Sequence, residues 1–190
     1  MVLQTIIFVK RMKTIARFIL RRLLGWKVEN GFPVEPKKYV VIAAPHTSWL
    51  DFPIAVLSRI SEGTMVHFAG KSSLFRWPFG YFFKFLGGIP VDRSKNNNLV
   101  EAIIAIFDSK KEFRLALSPE GTRKKVTQWK TGFYYIAKGA NVPIVMATLD
   151  FKNKKIKISN PYYTTDNTEE DFKILRSFFK DVKGKNPELS

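Results

Sequence analysis

The stretch Tyr39-Val40-Val41-Ile42-Ala43-Ala44-Pro45-His46-Thr47-Ser48-Trp49-Leu50-Asp51 decides the fold. Its apolar opening, Tyr39 to Ala44, reads as a buried strand. Pro45 ends that strand, because proline has no N–H to give a ladder and restricts the residue before it. His46 then stands at the strand's exit, where α/β folds gather their chemistry. Thr47 or Ser48 offers a cap for a following helix, with Trp49, Leu50 and Phe52 as its apolar start.

On an uninterrupted helix, His46 and Asp51 would not share a face. With His46 in the turn and Asp51 in the first helical turn, the imidazole can fold back onto the carboxylate. A carboxylate so placed fixes the ring tautomer and supports the imidazolium that forms when the other nitrogen takes a proton. The chain has no cysteine and no serine in a Gly-x-Ser-x-Gly setting. The natural nucleophile is therefore a substrate alcohol. The competing interpretation of the pair is a purely structural hydrogen bond, and these residues alone leave both open.

Outward from this stretch, the totals bound the rest. A chain of 190 residues with 45% hydrophobic content reads as one domain with a substantial core, too apolar to be disordered. The lack of cysteine excludes disulfides and thiolate zinc sites, and two histidines, His46 and His67, argue against a histidine-rich metal centre. A formal net charge of +16 calls for an anionic partner: nucleic acid, an anionic membrane or a phosphorylated substrate. No helix-turn-helix, zinc-finger or RNP signature supports the first.

Residues 1–24 are apolar and basic at once. Met12, Ile15, Ala16, Ile19, Leu20 and Leu23 keep the rhythm of one helical face, and Lys10, Lys13, Arg17 and Arg21 fall on the other. The apolar run before Lys10 is too short to span a bilayer, and the order of charge and apolar residues is not that of a signal peptide. The pattern predicts an interfacial helix with its basic side chains on lipid phosphates; the alternative is a helix packed on the domain. Residues 1–30 form this helix and its linker, and 31–190 the α/β domain.

Further along, Thr64 to Ala69 reads as a strand in which His67 has a structural role. The segment Gly70 to Phe83 is rich in aromatics and broken by Pro78 and Gly80. It reads as core packing around a bent helix, or as the wall of an apolar groove with Lys71 at its mouth. Ile89 and Val91 suggest a short strand delivering Arg93, whose planar fork suits phosphate. Phe113 to Leu117 is a strand ending in Ser118-Pro119-Glu120-Gly121-Thr122-Arg123. A turn and helix there would aim backbone N–H groups and Arg123 at one anion. Ile144 to Leu149 and Lys154 to Ser159 read as strands, with helices at 130–138 and 166–181.

Four blocks thus stand in order: His46-x4-Asp51, Gly88 to Arg93, Pro119 to Arg123, and Val142-Pro143-Ile144. As an ordered set they resemble the glycerolipid acyltransferase family, of the lysophosphatidic acid (1-acylglycerol-3-phosphate) acyltransferase type, from Val40 to Leu149. Lys71 with Leu74, Phe75, Pro78 and Gly80 is similar to that family's segment between its first two motifs. The resemblance implies a single α/β domain, a mixed central sheet flanked by helices with an N-terminal amphipathic helix. It implies His46 as general base, Asp51 as its orienting partner, and Arg93 and Arg123 on the acceptor's phosphate. Glu120, Gly121 and Thr122 would shape that pocket, and Lys71 would lie near the thioester or the phosphate. The family implies an acyl-CoA or acyl-carrier-protein donor, a lysophospholipid acceptor, a setting on the cytoplasmic face of a membrane, and neither metal nor organic cofactor. Pro45, Ser118 and Met146 depart from the family's common asparagine, phenylalanine and second proline; these departures leave the His–Asp pair intact and bear on acceptor identity. A non-catalytic basic membrane-binding protein would explain the charge, but not the four blocks together.

Overall fold

The apolar run does form a strand, β2 (Lys38–Ala44), next to one edge of a parallel sheet. The computed structural model describes residues 2–91 and 96–189. Among these, β2 joins β3 (His67–Lys71), β4 (Gly88–Val91), β5 (Phe113–Leu117) and β6 (Ile144–Thr148) in the order β4-β3-β5-β2-β6. Every pairing between these strands is parallel, with Val40 level with both Leu115 and Ile144. Antiparallel pairing enters as isolated bridges at the β6 edge, Ile144 with Tyr162 and Ala147 with Ile158, which gives the sheet its mixed character. A separate parallel pair joins β1 (Lys27–Glu29) to β7 (Lys155–Lys157).

Parallel neighbours need crossovers, and crossovers are right-handed. Helices α2 (Asp51–Glu62) and α3 (Gly80–Phe85) carry the chain from β2 through β3 to β4 in one direction. Helices α4 (Asn96–Ser109) and α5 (Gly132–Gly139) carry it back, so the two pairs cover opposite faces. Strand alternation sorts the core to match. Val40, Ile42 and Leu115 pack with Phe107, Ile136 and Leu175, the last from α6 (Thr168–Ser177). Tyr39, Val41 and Val145 pack with Ile54, Leu20 and Trp26 on the other side.

α1 (Val2–Phe18), continued by a π-helical turn at Ile19–Leu23, lies on α2 and buries Ala16 and Leu20. Three of the basic side chains that the sequence pattern assigns to lipid phosphates are engaged by α2, while Lys10 stays exposed. Lys13 Nζ donates to the Glu62 carbonyl (2.9 Å), Arg17 to the Ser61 carbonyl (3.1 Å), and Arg21 pairs with the Glu62 carboxylate (3.5 Å). The cause is the carboxyl end of α2, whose unpaired carbonyls and negative dipole attract cations. Ile7, Phe8, Met12, Ile15 and Phe18 are left exposed.

Two other elements differ from expectation. β3 begins at His67, because the buried Arg59 guanidinium takes the Val66 carbonyl (2.9 Å) together with that of Leu86 (2.7 Å) and holds the preceding residues as a loop. His67 is half-buried, with Nδ1 3.3 Å from the Arg114 carbonyl and its ring against Phe113; burial pushes its pKa down, as a packing role requires. The aromatic segment splits into a 3₁₀ turn (Ser72–Phe75) and α3. Gly80 makes the junction possible, since a Cβ there would lie 2.1 Å from the Phe75 carbonyl oxygen. Most of the aromatics point outward instead of into the core: Trp77, Phe79, Tyr81, Phe82 and Phe85 are exposed.

α6 is tied down by Asp171, which is buried in its first turn. Tyr162 Oη (2.6 Å), Tyr134 Oη (2.8 Å) and the Thr165 N–H and hydroxyl (both 2.8 Å) all donate to its carboxylate. Burial alone would raise the carboxyl pKa, but these donors outweigh it and hold the group below its ordinary value.

Candidate active site

In a parallel sheet all carboxyl ends lie on one edge, so the loops after β2, β3, β4 and β5 share that edge. His46 follows β2, Glu120 follows β5, Lys71 closes β3, and the chain leaves β4 at Val91.

Asp51 opens α2, where a negative charge suits the helix N-terminus. One oxygen, Oδ2, collects the turn around itself. His46 Nδ1 lies 2.8 Å away, and the N–H groups of Thr47 and Ser48 each donate at 2.9 Å. Thr47 and Ser48 are therefore held by Asp51 and do not cap the helix through their side chains; Leu50 occupies the cap position, and the Ser48 hydroxyl accepts from its N–H (3.2 Å). The other carboxylate oxygen, Oδ1, is buried and has no partner among the described residues. The Asp51 side chain is 2% exposed and that of His46 31%. A carboxylate on Nδ1 requires the proton to sit there, which leaves Nε2 as the acceptor in the neutral ring.

Glu120 reaches across from the neighbouring strand. Its Oε2 accepts the His46 backbone N–H at 2.6 Å and lies 3.5 Å from the Ser118 hydroxyl. Burial raises the Glu120 pKa, while the His46 N–H and the nearby imidazole act to lower it. The Ser118–Gly121 turn is closed by the Gly121 N–H donating to the Ser118 carbonyl (3.1 Å). Gly121 has φ +65°, a left-handed backbone conformation that favours glycine. The expected helix does not follow this turn. Residues 122–131 are irregular and α5 starts only at Gly132, so no helix N-terminus aims its N–H groups at the site from here.

The structure thus brings His46, Asp51 and Glu120 into one hydrogen-bonded cluster. Gly121, Thr122 and Arg123 continue the same turn, with Arg123 exposed and unpaired among the described residues. Lys71 is exposed on the same edge, two strand positions from β2, roughly 10 Å in sheet spacing. Arg93 lies outside the described residues. A cavity of about 460 Å³ adjoins the cluster on the side of α6; Pro45, Glu120, Trp129, Arg176 and Lys180 are among its lining.

Sequence reasoning missed one contributor. Asn186 donates from its backbone N–H to Thr47 Oγ1 (3.2 Å) and from Nδ2 to the Thr47 carbonyl (2.8 Å). It thereby grips the turn between the two members of the pair. Nothing in the local pattern around Asn186 signals this, because the contact spans 139 positions of chain.

A family model described as Acyltransferase matches residues 25–149. The 1-acyl-sn-glycerol-3-phosphate acyltransferase of Salmonella typhimurium is 27% identical over 148 residues, covering 74% of this chain and 59% of the relative. That of Escherichia coli is 26% identical over 147 residues, with the same coverage. The chain thus spans about three-fifths of the length of these curated relatives. The crystal structure of the 1-acyl-sn-glycerophosphate acyltransferase PlsC from Thermotoga maritima superposes with a TM-score of 0.63 at 18% identity, over 90% of this chain and 76% of that one, a likeness of fold.

Proposed function

Because this chain belongs to the acyltransferase family, we propose that it is an O-acyltransferase that moves a fatty acyl group from a thioester donor to the hydroxyl of a lysophospholipid, 1-acylglycerol-3-phosphate first among acceptors. The observation that carries the reading is the 2.8 Å contact between His46 Nδ1 and Asp51, which turns Nε2 into a proton acceptor at the rim of the sheet. The activity of the relatives supports the acceptor.

In this mechanism His46 Nε2 takes the proton of the acceptor hydroxyl as its oxygen attacks the thioester carbonyl. The C–O bond forms, the carbonyl electrons move to oxygen, and Asp51 steadies the imidazolium. Collapse of the tetrahedral intermediate breaks the C–S bond, and the departing thiolate recovers the proton from His46. No acyl-enzyme forms. Glu120 holds the backbone of His46 in place. Arg93 and Arg123 are assigned to the acceptor's phosphate by resemblance, with Glu120, Gly121 and Thr122 shaping that pocket and Lys71 near the thioester or the phosphate. The donor is an acyl-CoA or an acyl-carrier protein. Residues 1–30 provide the membrane association and 31–190 the chemistry, on the cytoplasmic face of a membrane. The exposed apolar side of α1 supports that division; among the described residues no helix is long and apolar enough to cross a bilayer.

The test is turnover of an acyl thioester with 1-acylglycerol-3-phosphate, compared with 1-acylglycerophosphocholine. General-base assistance contributes about 10²–10⁴-fold, so His46→Ala should lose at least that range while keeping the wild-type melting curve. Wild-type turnover in that variant would remove the base from the mechanism.

A further inference from the structure

The segment from Trp77 to Phe85 has no place in the chemistry above, yet it presents a run of large aromatic side chains to solvent. Trp77 is 85% exposed and Phe85 74%, and Phe79, Tyr81 and Phe82 stand with them. Scattered apolar residues on a surface are ordinary, but a contiguous group of rings on one short helix and the turn before it marks an interaction site. The backbone beneath is fixed. Phe83 packs 6.1 Å from Phe52 and 6.3 Å from Phe75, and Phe52 packs 4.9 Å from Phe68. These contacts seat α3 beside α2, on which α1 also packs, so α1 and α3 lie on the same face of the sheet.

The chemistry selects the partner. Tryptophan and tyrosine combine an apolar body with a polar edge, the combination suited to the headgroup level of a bilayer. Arg76 and Lys84, both exposed, flank the rings, on a chain of net charge +16. An anionic lipid surface accepts the rings and the cations together. We propose that Trp77 to Phe85 is a membrane-docking surface in its own right, separate from α1, which seats its rings among the headgroups of an anionic bilayer. With α1 it makes a two-point footing. Once one foot is down, the second binds at a high effective concentration, and the pair fixes the orientation of the domain. The 3₁₀ turn before α3 begins directly after Lys71, at the carboxyl end of β3, so this footing stands beside the edge that carries His46. That consequence rests on the acyltransferase reading; the binding itself does not.

The experiment is co-sedimentation of the full chain with phosphatidylcholine vesicles containing about 30% phosphatidylglycerol, with no substrate present. The triple variant Trp77→Ser/Tyr81→Ser/Phe82→Ser, with α1 intact, should partition roughly tenfold more weakly or worse. Wild-type partition by the folded variant would overturn the proposal. So would sedimentation velocity showing a dimer that the variant dissolves while vesicle binding stands, because the rings would then serve a second copy. Should the triple variant fail to fold, Trp77→Phe gives an independent reading. Brominated lipid should quench a fluorescence component in the wild type that this variant lacks, and equal quenching in both would overturn the proposal. None of these readouts involves turnover, so a loss of the catalytic reading in the His46→Ala assay would be seen separately.

Discussion

At His46 the ring and the backbone answer to different partners. Asp51 holds the ring, Glu120 holds the N–H, and Asn186 holds the next residue along. The first contact was legible in the sequence because its members stand five positions apart and a strand-ending proline placed them at a turn. The second lies 74 positions away and depends on β5 being the neighbour of β2, which no local pattern reveals. On the proposed mechanism Asn186 positions the His46 turn, and its effect should appear in kcat. Asn186→Ala should lower kcat by about tenfold with a smaller change in KM, since misplacement by an ångström costs rate more than binding. Asn186→Asp keeps the backbone bond to Thr47 but loses the Nδ2 donor, and should behave like the alanine variant. A variant in which KM alone moves would place the contact in substrate binding, and one in which only the melting temperature moves would show that it serves stability.

The elements were legible where apolar runs or periodicity were strong, as in β2, β5, β6 and α6. They were misjudged where a tertiary partner intervened. Amphipathicity located α1, but which side faces the domain was decided by the carbonyls at the end of α2, which drew in Lys13 and Arg17. In the same way Arg59 shortened β3 from its amino end. α6 is held by Asp171 as well as by Leu175 in the core, and the downward shift of the carboxyl gives a pH dependence. A carboxyl group held below its unfolded value of about 3.9 contributes stability that is fully present above that pH. The contribution is lost as pH falls through the folded value. Urea melts should therefore show the wild type ahead of Asp171→Asn by on the order of 2 kcal/mol or more at neutral pH, because the substituted amide faces hydroxyl and N–H donors with an NH₂ group. The gap should narrow as the pH is lowered below about 4, and a pH-independent gap would remove Asp171 from that role.

For the whole molecule, the α/β class followed from strands and helices succeeding one another along the chain and from the resemblance that the four ordered blocks carry. The order β4-β3-β5-β2-β6 did not, because parallel pairing is set by crossovers and not by the strands' own residues. The charge of +16 was legible as a count, while its division between internal clamps and exposed cations required coordinates. That division makes a prediction for the intact chain. Vesicle binding should weaken as salt rises from about 0.05 to about 0.5 M, because the exposed cations are screened, yet a salt-resistant remainder should persist from the rings of α3 and the apolar side of α1. Complete elution by salt would leave electrostatics as the whole of the attraction. The grip of Asn186 on Thr47 also has a temporal side. A ribosome delivers the His46 turn early and its final restraint long afterwards. A nascent chain can therefore lay down its sheet while the His46 turn is still unlatched, and a protease that nicks the chain ahead of Asn186 would return a finished molecule to that unlatched condition.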